Sequence, residues 1–98
     1  MKTIDSTIIA HLRSAVRQGR STSCALKTAD GMLPADARNT IAMIEYAREA
    51  FCLSLPEASP IAGWGFAGVG EIPDERLDEL LDPAVTAHRE EWDSIEEN

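Results

Sequence analysis

Between Asp36 and Leu55 the apolar positions fall at Ala37, Ile41, Ile44, Ala47, Phe51 and Leu55, three or four residues apart, and Thr40, Met43 and Ala50 widen the same stripe. That period is helical, and so wide an arc marks a core face rather than a coiled-coil seam. Neither Gly nor Pro interrupts the stretch, while Pro34 precedes it and Pro56 follows. The pattern therefore predicts one long helix, roughly 30 Å at about 1.5 Å per residue, against which the shorter apolar segments pack. Tyr46 and Leu53 lie off its main face, so other helices are expected to wrap it. Arg48 falls at the edge of the arc, where a carboxylate from the acidic C-terminal segment is the expected partner.

Upstream, Ile8, Ile9, Leu12, Ala15 and Val16 form the face of a first helix that Asp5 or Ser6 can cap and Gly19 can stop. Arg13, Arg17 and Arg20 then form a small basic stripe near its C-terminal end. Ser21, Thr22 and Ser23 offer caps for a short second helix, Cys24 to Ala29, which Asp30 and Gly31 would end. Met32 and Leu33 link it to the long helix.

Beyond Pro60 the segment IAGWGFAGVG interleaves four glycines with Trp64, Phe66 and Val69. Its formal resemblance to a nucleotide-binding glycine loop lacks the strand before, the helix after and the Walker lysine. Two readings remain. Trp64 and Phe66 either plug the core while the glycines let backbone pass closely, or they are exposed anchors for a partner. A short β-hairpin is compatible with either.

Pro73 opens a further helix with Ile72, Leu77, Leu80 and Leu81 inward. Pro83 is expected to end it and start another, where Val85, His88, Trp92 and Ile95 recur at helical spacing. The whole reads as all-α: a compact bundle of about four to five helices around a long central helix, with a Gly/aromatic loop. At 98 residues it is one domain, 1–98, carrying an acidic helical segment at 71–98.

Charge sharpens this picture because it is unevenly placed. Residues 1–70 hold seven Lys/Arg and six Asp/Glu, a net of +1, whereas residues 71–98 hold eleven Asp/Glu against Arg76 and Arg89, a net of −9. A field of that sign repels nucleic acid and membranes and attracts a basic surface. No long apolar run or signal-peptide pattern occurs, so a cytoplasmic protein is the expectation. Cys24 and Cys52 lack metal or redox spacing and read as two buried thiols.

Little catalytic chemistry is legible. The acids are strung along helix faces rather than converging in a cleft, His88 reads as a core-edge imidazole, and DERLDELLD lacks the ligand order of a calcium loop. No enzyme activity, cofactor or metal is expected.

The expected function is a small acidic protein that inhibits a larger basic, nucleic-acid-handling protein by covering its positive surface. Asp74, Glu75, Asp78, Glu79 and Asp82 are the first candidate contacts, Glu90, Glu91 and Asp93 the second patch, and Trp64 and Phe66 candidate loop anchors. In size and acidity the chain resembles immunity proteins, antitoxins and phage-encoded inhibitors of bacterial defence such as anti-CRISPR proteins, a likeness of overall character that transfers no site residue. Two alternatives are a DNA-binding regulator using Arg17, Arg20, Lys27 and Arg38, and a structural or oligomer-forming subunit.

Overall fold

A computed structural model describes residues 5–37, 39–65 and 70–94. Phe66, Val69, Arg38, Ile95 and the acidic Glu96 and Glu97 lie outside the described residues. Among the described residues six α-helices follow one another: α1 (Ser6–Arg17), α2 (Thr22–Met32), α3 (Thr40–Phe51), α4 (Leu55–Ala58), α5 (Asp74–Ala87) and α6 (Arg89–Asp93). Two 3-10 turns, Ala35–Ala37 and Ser59–Gly63, join them. The architecture is the all-α bundle expected, and one continuous apolar cluster draws residues from Ile8 to Trp92.

The first helix starts and stops where its sequence says. The Asp5 carboxylate accepts the Thr7 N–H at 2.8 Å, and the Asp5 N–H donates to the Tyr46 hydroxyl at 2.9 Å, tying this helix start to α3. At the other end Gly19 takes φ +90, a conformation in which a Cβ would be strained, and the Arg20 N–H reaches back to the Ala15 carbonyl at 3.1 Å. The second helix runs three residues further than expected, through Asp30 and Gly31, before Leu33 turns extended. Pro34 supplies the reason, since the residue before a proline is pushed out of helical geometry.

The predicted long helix is cut at both ends. Asn39 restarts the chain after the 3-10 turn by accepting the Ala42 N–H at 2.8 Å. Cys52 stops it in the left-handed region at φ 55, from which the Leu53 N–H closes on the Arg48 carbonyl at 3.2 Å. Ser54 and Glu57 then cap each other's backbone N–H groups, at 3.3 Å and 2.8 Å, and open α4 with Pro56 in its first turn. The buried face of α3 is also rotated from the predicted one: Ala42, Met43, Tyr46, Ala47, Ala50 and Phe51 are inside, while Ile41 is 63% exposed. Tyr46 and Leu53 are both buried, because α1 and the C-terminal helices wrap two sides of α3.

Where the Gly/aromatic segment crosses itself, the Gly65 N–H donates to the Ile72 carbonyl and the Ile72 N–H to the Gly63 carbonyl, each at 2.9 Å. Among the described residues the result is a parallel bridge between Trp64 and Ile72. A Cβ on Gly70 would lie 2.4 Å from the Gly63 carbonyl oxygen, so the crossing requires glycine there. Trp64 is fully buried and belongs to the core, which removes it as an exposed anchor.

Pro83 does not end its helix. The α5 hydrogen bonding continues to Ala87 with Leu77, Leu81 and Val85 buried at intervals of four, while Leu80, expected inside, is 36% exposed. His88 forms the corner to α6. There Trp92 is fully buried, its indole N–H donating to the Val85 carbonyl at 2.9 Å and its ring meeting Phe51 edge-on at 5.2 Å.

One buried charge completes the core. Arg13, read in the sequence as part of a small basic stripe, is 6% exposed and donates to the carbonyls of Ala50 at 2.7 Å and Glu49 at 3.1 Å. Those carbonyls belong to the last turn of α3, where helical partners run out and the dipole is negative.

Candidate functional site: the two sides of the acidic C-terminal helices

Asp74, Asp78 and Asp82 are spaced by four and therefore share one side of α5. That side faces α2. The Asp78 carboxylate accepts the Ser23 N–H at 2.8 Å and the Ser23 hydroxyl at 2.9 Å. Asp82 accepts the Thr22 N–H at 3.2 Å together with the Thr22 hydroxyl. Both donors sit in the first turn of α2, where N–H groups have no intrahelical partner and the dipole favours an anion. Thr22 and Ser23 are buried, so these carboxylates satisfy groups that water cannot reach. Asp74, one turn earlier, accepts the Trp64 indole N–H at 2.9 Å and pairs with Lys27. The Lys27 ammonium and the indole donor hold the Asp74 carboxyl below its ordinary range.

The second predicted patch divides in the same way. Asp93 pairs with Arg17 and, at 3.3 Å, with Arg89, and those two guanidiniums, Arg17 first, lower its pKa. Both cations also lie over the Trp92 ring, 5.7 Å and 5.5 Å from its centre. Glu91 accepts from His88 Nδ1 at 2.9 Å, and the opposite ring nitrogen meets the two Glu57 oxygens at 3.0 Å and 3.1 Å. The Glu91 and Glu57 contacts raise the His88 pKa. Glu57 is lowered, chiefly by the Ser54 N–H and then by His88.

Glu75, Glu79 and Glu90 point away from the bundle, as does Glu71 just ahead of the helix. Arg76 stands 3.8 Å from Glu79 with both side chains more than half exposed, too loose and too solvated to neutralise that side. An open concavity of about 560 Å³ between the parallel bridge and the start of α5 is lined by Gly65, Glu71, Ile72, Pro73, Asp74 and Glu75.

The eight acids singled out in the sequence thus separate by direction. Asp74, Asp78 and Asp82 bind the protein's own α2, Asp93 and Glu91 are engaged at the α6 corner, and Glu75, Glu79 and Glu90 face solvent. Among the described residues Arg48 pairs with none of the C-terminal acids, contrary to expectation; it is exposed and lines a shallow hollow with Glu45, Glu49 and Leu53. Cys24 is exposed, contrary to the buried-thiol expectation, and Cys52 is half-buried; neither forms a disulfide. Burial, then Glu91, raises the Cys52 thiol pKa.

Sequence reasoning missed the roles of Thr22, Ser23, Glu57 and Arg13. Two signals for them were present: the i, i+4, i+8 spacing of the aspartates and the Ser54-x-x-Glu57 capping pattern. Among the described residues no group of three or more His, Cys, Asp or Glu is placed to hold a metal ion, and no helix is long and apolar enough to cross a membrane. Comparison with protein-family models, with curated proteins and with solved structures found no match.

Proposed function

We propose that this chain is a small, non-enzymatic acidic binding protein that inhibits or neutralises a larger basic protein that handles nucleic acid. It would do so by laying the outward side of α5 and α6 on that protein's positive surface. One observation carries the reading. The aspartates of α5 turn inward to serve α2, while the glutamates Glu71, Glu75, Glu79 and Glu90 are directed to solvent. The first set serves the fold by direct hydrogen bonds; in the second, Glu75 and Glu90 suit the positive starts of their helices, while Glu75 and Glu79, four residues apart, repel each other on the exposed side. A basic partner would relieve that repulsion, and complementary potential would speed encounter and select the partner.

The same sorting weighs against a DNA-binding regulator. Arg17 and Lys27, two of its candidate phosphate contacts, are engaged by Asp93 and Asp74. The likeness in size and acidity to immunity proteins, antitoxins and anti-CRISPR proteins is consistent with inhibition and is part of this proposal.

The test is affinity capture from host lysate at two salt concentrations. Wild type is compared with the triple variant Glu75→Lys, Glu79→Lys, Glu90→Lys, whose substitutions touch no inward contact. Loss of a basic nucleic-acid-handling protein in the variant, with unchanged thermal stability, is the expected result. Equal capture by both chains, or capture of duplex DNA by the wild type, would overturn the proposal.

A further inference from the structure

The Glu57, His88, Glu91 cluster lies apart from the outward acidic side and joins three elements. His88 is the corner residue between α5 and α6: its N–H donates to the Ala84 carbonyl at 3.1 Å, and its own carbonyl accepts the N–H groups of Glu91 at 2.9 Å and Trp92 at 3.2 Å. The backbone of that corner is therefore fixed, and the imidazole projects from a held base. Its two nitrogens meet carboxylates on opposite sides, Glu91 from α6 and Glu57 from α4. The side chain is 25% exposed and Glu57 34% exposed, so the proton has a route to water while the contacts remain partly shielded.

A neutral imidazole carries one N–H and one lone pair, whereas an imidazolium carries two N–H groups. Only the protonated ring can donate to both carboxylates at once. Loss of the proton leaves one nitrogen lone pair facing a carboxylate about 3 Å away, an unfavourable contact that must open. Glu91 is more exposed, at 63%, and lies on the same corner as the ring. Glu57 belongs to a separate four-residue helix whose own start depends on the Glu57 carboxylate. Nearby, the Cys52 thiol at the end of α3 is acted on by Glu91, Arg13 and Glu49, while the groups acting on His88 itself are Glu91 and Glu57.

We propose that His88 is a proton-operated latch: as the imidazolium it donates to Glu57 and Glu91 at once and fastens the α5–α6 corner to α4, and on losing its proton it gives up one of the two carboxylates and loosens that joint. The sign follows from the pairing. A ring held charged by the folded protein stabilises it fully below the unfolded histidine pKa, and that stabilisation is lost as pH rises through the raised folded value. That window opens at the unfolded histidine value and extends upward from it, where histidine acts as a switch.

The experiment follows both histidine rings and the amides of Leu55, Glu57 and Ala58 by NMR from below to above the unfolded histidine pKa, in wild type, Glu57→Gln and His88→Gln. In the wild type the His88 midpoint is expected above that of the unfolded chain, and the α4 amide shifts should move with the same midpoint. Glu57→Gln should lower the midpoint. His88→Gln, which can still hydrogen bond but cannot titrate there, should leave the α4 amides insensitive to pH. A His88 midpoint at or below the unfolded value, or α4 amides that move equally in His88→Gln, would overturn the latch. These readouts need no partner, so they stand or fall separately from the proposed function.

Discussion

Arg13 concentrates more consequence than any other single charge. Its guanidinium is buried and donates to two carbonyls at the end of α3, so it replaces hydrogen bonds the helix cannot make for itself. Arg13→Leu keeps the apolar stem but strands those carbonyls. Leaving buried acceptors unsatisfied costs about 1–3 kcal/mol, which should appear as a lower midpoint in denaturant with an unchanged slope. Arg20, exposed and with no comparable role in the core, provides the control: Arg20→Leu should stay within about 0.5 kcal/mol of wild type. A sequence pattern cannot separate these two arginines. Position 13 lies one residue from Leu12 on the helix wheel's core edge, and only the end of α3 arriving there makes it a buried donor.

At the scale of elements, α2 depends on α5 for its first turn. Ser21 caps it weakly, accepting the Cys24 N–H at 3.3 Å, while Asp78 supplies two shorter bonds from across the bundle. Asp78→Ala should therefore destabilise by more than Ser21→Ala. Loss of the hydrogen bonds to a charged group costs about 1.5–3 kcal/mol, against about 1 kcal/mol for a typical N-cap. Chemical denaturation of the two single variants checks the order, and amide exchange at Ser23, whose N–H Asp78 accepts, should rise in Asp78→Ala. The same dependence explains why α5 can carry three aspartates on its inner side: each has a donor waiting. It also explains the long-helix expectation at 36–55. The apolar spacing there is continuous, but Asn39 and the Ser54/Glu57 capping box are local start signals, and Cys52 takes the left-handed turn between them.

The whole molecule is held by contacts that bring the acidic C-terminal segment onto a nearly neutral N-terminal one. Asp74, Asp93 and Glu57 all have lowered pKa values, caused respectively by Lys27, by Arg17, and by the Ser54 N–H. Groups of this kind contribute stability that is fully present above their unfolded values, about pH 4, and is lost as pH falls through the lowered folded values. Together with the opposite sign at His88, they predict thermal stability that declines on both sides of mildly acidic pH. Scanning calorimetry from pH 2 to pH 8 checks this, and the acid limb should flatten in Lys27→Met, which removes the leading cause of the Asp74 shift.

What the sequence determined by itself was local: helical periods, the stop at Gly19, the proline-opened α5, the uneven charge and the all-α class. These depend on backbone geometry and on interactions within one or two turns. Only the tertiary structure decided which side of each helix is inside, that Trp64 is core, and that Asp78 and Asp82 serve α2 while Glu75 and Glu79 face solvent. Aspartate and glutamate one residue apart carry the same charge, and helical periodicity assigns them to different sides without saying which side meets a neighbour. That assignment comes from the packing of segments about sixty residues apart, where the unsatisfied N–H groups at the start of α2 meet carboxylates of matching spacing on α5.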